Sequence, residues 1–518
     1  MRICKYDLFF ALIVLSVLSV FAYFGWQDVD IQFLGFTSGD ELPQFKQLNN
    51  VLEGYLSLDL EKMFRIEFYN YGYIYYLLNV LVTAPFNLVE KYDWAIFAPR
   101  FVNGVFSVLN LWMVYKIANL YLAKNRSLLL VIFCLLIPGF WHYGYIFKPD
   151  VFQAFFVLCS VYFLCLDNFA YKKNFYLSVL MLGLGIGVAK FQAIMFAPLL
   201  CIYVFIPFLN KPTLKGFWQG CWKSFVVVLC LLLIWIVTNP YLLHPTGMKV
   251  WWNMFVFNMQ SNATNHGSYT HISLVEKIWM ENRFFLSIPI ILFLSISFIV
   301  KIYKKRQYDN VWFCVFITFC ISLAYLLLLV NKTWGSYYVS TIYLALLLLI
   351  PFFKRRQWLI GLLFALQVVN IFCSQSIEYF AKRKTQTNET IQKSNEIVDV
   401  LKGNIDNTNV RIYIDNPNFS YHQLGLTYKN VYQLFGTLLP YIINKEEFIK
   451  KYPYKNPSKY FVQYDLIIIS REMINRNQQM SSIDQDARIS QATIENISQY
   501  GYQKIAESKN FLFFKYVR

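Results

Sequence analysis

KKNFYLSVLMLGLGIGVAKFQAIMFAPLLCIYVFIPFLNK, residues 172–211, decides the fold class of this chain. Two apolar runs, from Phe175 and from Phe191, meet at Lys190 with almost no loop between them, and Lys172, Lys173 and Lys211 stand at the outer ends. Each run is long enough, or nearly so, to cross about 30 Å of hydrocarbon as a helix. A chain that crosses, turns back at once and returns places its two lysine-bearing ends on one side, and short cytoplasmic loops are where Lys and Arg accumulate.

Outward from this pair, comparable runs start near Phe9, Trp94, Leu128, Val151, Phe225, Phe284, Val311, Tyr338 and Trp358, which makes about eleven. The composition agrees: 57% of the residues are hydrophobic and 15% charged, against about a quarter charged in a soluble chain. The net charge of +17 recurs in short clusters between apolar runs rather than in one patch or stripe, which argues against a nucleic-acid surface. The stretch from Tyr71 to Pro85 is also apolar, and counting it as a span would invert everything after it. With the N-terminus (Arg2, Lys5) inside and that stretch lying on or dipping into the far surface, the loops with Lys124 and Arg126, Lys172 and Lys173, Lys211 and Lys215, Lys301 to Arg306, and Lys354 to Arg356 all fall inside. The segment after the first run, from Ala22, offers a poor cleavage site, so the first run is read as an uncleaved span.

Beyond Cys373 the sequence turns polar and holds none of the 10 cysteines. Short β-type runs at 410–414, 466–470 and 511–517 alternate with helical patterns near 391–401 and 483–497, which predicts a small α/β domain. The expected architecture is therefore a polytopic α-helical membrane protein of about eleven transmembrane helices with a C-terminal soluble α/β domain: residues 1–374 in the membrane, with a first outer loop at 26–93, and residues 375–518 outside the cytoplasm. The cysteines lack the spacing of a zinc site.

Ionisable residues near hydrocarbon are costly and mark function, and this topology collects several on the outer face. Asp40 and Glu41 follow the first span, Arg100 opens the second, and His142, Lys148 and Asp150 lie before the fourth. Lys190 separates the fifth from the sixth, and Lys332, Tyr337 and Tyr338 follow the ninth. Asp40, Glu41 and Asp150 are the candidate catalytic carboxylates. Neighbours in sequence diverge, so only one of Asp40 and Glu41 is expected to face a reacting centre, and Asp40 is taken as the base. Asp150 opens a helix, where the dipole also favours a carboxylate, and Lys190 has no acidic neighbour in sequence. Arg100, Lys148, Lys190 and Lys332 are candidate phosphate-binding cations, and His142, Tyr337 and Tyr338 candidate substrate contacts. Asn262-Ala-Thr and Asn331-Lys-Thr fit the glycosylation-acceptor pattern. Carboxylates and cations on an outer face suit transfer from a lipid-linked phosphate. The phosphate leaving group needs cations rather than a general acid, the acceptor needs one base, and a single displacement inverts the sugar carbon.

Gly39-Asp40-Glu41, the run from Ala98-Pro-Arg100 to Ser107, Phe147-Lys148-Pro-Asp150 and Gly187-Val-Ala-Lys190 together resemble the polytopic GT-C glycosyltransferases, especially protein O-mannosyltransferases and lipid A aminoarabinose transferases. The resemblance implies a polyprenyl-phosphate monosaccharide donor, an outer-face site, and a lipid A, glycan or protein acceptor. It puts Asp40 at the catalytic acidic position, Asp150 at the second acidic position, and Arg100 and Lys190 near the donor phosphate. Asn70 to Tyr75 departs from the usual proline pair, and Ser336-Tyr337-Tyr338 stands where an Arg-Tyr pair is common, with Lys332 as a substitute for the arginine. A divalent cation (Mg or Mn) shared by Asp40 and Asp150 is an open expectation, and a bacterial inner membrane is the expected location. The competing reading is a transporter or flippase of a lipid-linked sugar, which is disfavoured because charges within the spans are scarce and no repeat is visible.

Overall fold

The computed structural model describes residues 5–27, 41–66, 71–264, 272–282, 285–305, 311–332, 335–354, 357–373, 376–405, 409–415, 419–427, 430–434, 439–451, 457–472, 474 and 494–517. The chain divides into two compact units. One holds residues 1–27, 43–266 and 271–380; the other holds 28–42, 267–270 and 381–518.

Among its described residues the first unit is mainly helical. Helix α1 (Lys5–Gln27) is followed by α2 (Glu41–Ser57), α3 (Leu60–Phe64) and α4 (Tyr73–Leu88), then by the long α5 (Tyr92–Asn119). The apolar run from Leu128 is split into α6 (Lys124–Leu135) and α7 (Pro138–Tyr143). Pro138 sits at the first turn of α7, where a missing N–H costs nothing, after Ile137 has left the helix in an extended conformation. Next come α8 (Asp150–Asp167) and α9 (Lys173–Leu184), then α10 (Pro198–Asn210) and α11 (Leu214–Val237). Helices α12 (Gly247–Ala263), α13 (Leu274–Asn282), α14 (Ile288–Lys305), α15 (Val311–Ala324), α16 (Val339–Leu348), α17 (Ile350–Phe353) and α18 (Gln357–Cys373) complete the unit.

Helical segments stand at all eleven apolar runs. Seven helices among the described residues are long and apolar enough to cross a membrane: those of residues 5–26, 93–119, 150–167, 191–210, 214–237, 311–329 and 335–353. Shorter apolar helices lie at 73–88, 173–189, 288–301 and 357–373, so the stretch from Tyr71 is a helix, beginning at Tyr73. Helix α8 is the axis of the packing, buried along most of its length against α5, α9 and α16.

Spans must satisfy their own backbone, and non-helical chain at membrane depth survives only where protein partners replace water. The stretch between α7 and α8, residues 144–149, is non-helical and buried, and protein partners satisfy its backbone. Asn103, Ser107 and Asn110 lie on one face of α5, and all three are buried. Ser107 Oγ donates to Gly144 O at 2.6 Å, Asn103 Nδ2 to Lys148 O at 3.0 Å and to Ile146 O, and Asn110 Nδ2 to Val151 O at 3.0 Å. One polar stripe thereby holds the turn that carries Lys148 and Asp150.

In the second unit α19 (Ser376–Lys402) leads into a mixed five-stranded sheet of order β2-β1-β3-β5-β4, formed by β1 (Ile412–Asp415), β2 (Val431–Leu434), β3 (Leu466–Ser470), β4 (Tyr502–Glu507) and β5 (Phe511–Tyr516). β1 runs parallel to β2 and β3, while β5 pairs antiparallel with β3 and β4. β3 reads Leu-Ile-Ile-Ile-Ser, buried at every position, as a central strand covered on both faces does. The sheet domain and the helix near residue 391 agree with the sequence reading. Most of the expected helix at 483–497 lies outside the described residues; Ile494 and Glu495 are helical, and the last residue, Ile497, begins a 3₁₀ turn.

Candidate functional site

The site is built where a span breaks. Helix α9 widens into a π turn over Gly185–Ala189, Lys190 is fully extended (φ −153°, ψ 127°), and a 3₁₀ turn over Phe191–Phe196 leads into α10. Gly183, Gly185 and Gly187 weaken the helix there, and Gly187 is also required by space, since a Cβ on it would lie 2.0 Å from Thr238 Oγ1. Gly72 faces the same turn, and a Cβ on it would fall 2.1 Å from Gly187 O. This close approach lets Tyr71 and Lys190 pair as an isolated antiparallel bridge, with Gly72 N donating to Ala189 O at 3.1 Å.

Lys190 Nζ lies 3.2 Å from Asp150 Oδ1, with both residues buried at 8% and 3% exposure. Its ammonium stands 4.1 Å from the Tyr337 ring centroid and 5.6 Å from that of Tyr71, an arrangement in which aromatic faces favour a cation. Asp150 is in the first turn of α8, where the positive end of the helix favours its charge. Its Oδ2 is buried and has no hydrogen-bond partner among the described residues. The fold thus brings together Asp150, Lys190 and Tyr337, with Tyr71 as a fourth member that sequence reasoning left without a role. A buried ammonium walled by aromatic rings can hold a phosphate oxygen as readily as a carboxylate.

The other candidates stand as follows. Asp40 lies outside the described residues, as do His266 and His271. Glu41 opens α2 and is fully buried. Arg100 is 1% exposed in α5, and its Nη1 donates to Gly25 O at 3.1 Å in the last turn of α1, where a cation complements the helix dipole. Lys148 is buried next to Pro149, and His142 is buried in α7, with its ring edge-on to Tyr143. Tyr338 is buried, its ring centroid 5.8 Å from that of Phe285. Lys332 follows a second π turn, Tyr325–Leu329, and donates from Nζ to Ser261 Oγ at 2.9 Å. Asn331 is 9% exposed and its Oδ1 accepts from Ile272 N at 3.0 Å, so this side chain of the acceptor pattern is committed to the fold. Among the described residues no three His, Cys, Asp or Glu side chains gather in a way that would hold a metal ion.

Sequence reasoning placed Asn239 on the outer face and Asn103 in the run after Arg100 but gave them, and Asn110, no role. The available signal was the position of each: asparagine inside or at the end of an apolar span is expensive unless it bonds to backbone.

Residues 77–240 match the family described as dolichyl-phosphate-mannose-protein mannosyltransferases. The chain has no match among curated protein sequences. Its fold is similar to that of ArnT from Cupriavidus metallidurans, in the apo state (TM-score 0.54, 10% identity) and bound to undecaprenyl phosphate (TM-score 0.54, 11% identity), each comparison covering 99% of this chain and 98% of the other. It is also similar to the archaeal oligosaccharyltransferase AglB from Archaeoglobus fulgidus in complex with an inhibitory peptide and a dolichol-phosphate (TM-score 0.53, 10% identity, 98% of this chain and 74% of that one). The chain is therefore a multi-pass membrane protein with the GT-C glycosyltransferase fold, and its segment 77–240 carries the match to the mannosyltransferase family.

Proposed function

We propose that this GT-C glycosyltransferase moves a monosaccharide from a polyprenyl-phosphate donor to a lipid A, glycan or protein acceptor at the outer face of a bacterial inner membrane. The observation that carries the reading is the buried Lys190 ammonium at a broken span, next to Asp150 and between two tyrosine rings. The fold similarity to proteins captured with undecaprenyl phosphate and dolichol-phosphate supports a lipid-linked donor.

In this mechanism Asp40 takes the proton of the acceptor hydroxyl or amine as that atom bonds to the anomeric carbon. The bond from that carbon to the phosphate oxygen breaks, and its electron pair leaves on the polyprenyl phosphate. Lys190 and Arg100 meet the charge that develops there, assisted by Lys148 and Lys332, which is electrostatic stabilisation of the leaving group. His142, Tyr337 and Tyr338 contact the sugar. Attack opposite the phosphate inverts the anomeric centre.

The test is mass spectrometry of envelope lipids and glycoconjugates from cells lacking the protein, complemented with wild type or with Asp40→Asn at matched expression. Wild type is expected to add a hexose-sized or amino-sugar-sized mass that Asp40→Asn does not. An equal gain with Asp40→Asn removes Asp40 as the base. No gain from either, with lipid-linked sugar changing sides of the membrane, replaces transfer by transport.

A further inference from the structure

We propose that Asn239 is a positioning residue that holds Lys190 and Tyr71 in register for the phosphate headgroup of a polyprenyl lipid; the inference rests on the reading of Lys190 given above. Lys190 stands between a π turn and a 3₁₀ turn, its N–H bonded to Gly185 O at 3.2 Å, and across the site its backbone is met by the short bridge to Tyr71. Two glycines make that bridge close and the Gly72 N to Ala189 O bond sets its register, but a single bond leaves the bridge in need of reinforcement.

The Asn239 amide supplies it. Nδ2 donates to Gly187 O at 2.9 Å and to Trp235 O at 2.8 Å, and Oδ1 accepts from Tyr73 N at 2.9 Å. One side chain thus ties together the end of α9, the end of α11 and the start of α4. Helix α4 has Gly72 at its N-cap and no capping side chain of its own, so Asn239 caps it from a distant segment, satisfying one of the N–H groups that every helix start leaves open. Only an amide carries the donors and the acceptor that these neighbours require. Without it, Gly187 O and Tyr73 N each lose a partner in apolar surroundings, and the two segments are tied only by the Gly72 N to Ala189 O bond. Lys190 then loses its placement against Asp150 at 3.2 Å and Tyr337 at 4.1 Å.

The experiment measures binding of undecaprenyl phosphate, with undecaprenol as the phosphate-free control, to the full-length chain in lipid nanodiscs. Wild type, Lys190→Ala, Asn239→Ala, Asn239→Asp and the Lys190→Ala/Asn239→Ala double variant are compared. A charge-assisted contact to phosphate predicts a loss of about tenfold in the phosphate-dependent affinity of Lys190→Ala. Asn239→Ala is expected to lose a comparable factor while binding undecaprenol as wild type does, and the double variant is expected to be no weaker than Lys190→Ala alone. Asn239→Asp keeps the acceptor for Tyr73 N and is expected to fall between Asn239→Ala and wild type. Should Asn239→Ala give no folded protein, the same cycle with the isosteric Asn239→Asp decides. Fully additive losses, equal losses for undecaprenol, or wild-type binding by Asn239→Ala overturn the positioning role and leave the Lys190 site standing. Wild-type binding by Lys190→Ala overturns the site and this inference with it.

Discussion

Lys190 and Asp150 share a burial that suits neither charge alone. Removing one partner of a buried pair leaves the other charge uncompensated and costs about 3–5 kcal/mol, whereas replacing both by apolar side chains of similar volume is often neutral. Asp150→Asn and Lys190→Met are each expected to lower the melting temperature, and Asp150→Leu/Lys190→Met to recover most of that loss while remaining inactive in transfer. Thermal unfolding and a transfer assay on the same preparations check this; a double variant that regains activity sinks the catalytic role of the pair. The sequence exposed both residues, one by opening a helix after proline and one by interrupting an apolar run, but not their partnership, because they are 40 residues apart and meet through a hairpin. In the second unit Glu396 makes the opposite case, a carboxylate held by donors. Asn510 N and Nδ2 bond its two oxygens at 2.9 and 2.7 Å. Burial raises its pKa, but hydrogen bonds from Ser508 and Asn510 outweigh that and leave it below the ordinary glutamate value. A depressed carboxylate contributes stability above its unfolded pKa and loses it as pH falls through the folded one. Glu396→Gln is therefore expected to weaken protection of the Phe511–Tyr516 amides by about 1–2 kcal/mol at pH 7, with the difference closing at pH values below the ordinary glutamate range. Hydrogen exchange across that window measures it, and a pH-independent difference removes the charge from the explanation.

Among the elements, the stripe on α5 shows how a membrane protein keeps an irregular segment in place. Its three side chains bond the carbonyls of Gly144, Ile146, Lys148 and Val151. Such bonds in a membrane interior are worth about 1 kcal/mol each, but here they act together on the turn leading to Asp150. Asn103→Leu is expected to cost more activity than Asn110→Leu, because Asn103 bonds two carbonyls within the turn itself and Asn110 bonds one inside α8. Transfer rates at saturating donor, compared at equal folded yield, test the order; equal losses would falsify the turn as the point of action. Amphipathic and apolar periodicity made the spans legible, since length and hydropathy are local properties. The breaks were less so: Pro138 announces the one between α6 and α7, while the π turns depend on Gly187 meeting Thr238 and on other contacts no local pattern encodes. The strands divide similarly. β3, a continuous apolar run, and β1 and β5 stood out, whereas β4 reads Tyr-Gln-Lys-Ile-Ala-Glu with half of its side chains exposed, and β2 has four residues. An edge strand carries little of the alternation that reveals a half-buried one.

For the whole molecule, charge supplies the expectation of which side of the membrane each end occupies. Two counts compete, eleven spans with the helix from Tyr73 held at the outer surface, or twelve with that helix crossing. Its 16 residues rise about 24 Å and are one fewer than those of the 357–373 helix, which both counts take as a span, so the charges decide. An odd count puts Lys172 and Lys173, Lys211 and Lys215, and Lys354 on the same side as the N-terminus, where the cytoplasmic excess of Lys and Arg is expected, and puts the sheet domain on the other side. The crossing alternative moves every one of those loops outward. Alkaline phosphatase fused after residue 402 is therefore expected to be active and a fluorescent protein at the same point dark, with the reverse pattern after residue 172. If the fusion after 172 is the active one, the helix from Tyr73 crosses the membrane, and Lys190, Asp150 and Tyr337 face the cytoplasm. Under the proposed function, a donor would then have to present its phosphate from inside, which changes the pool of lipid-linked sugar within reach.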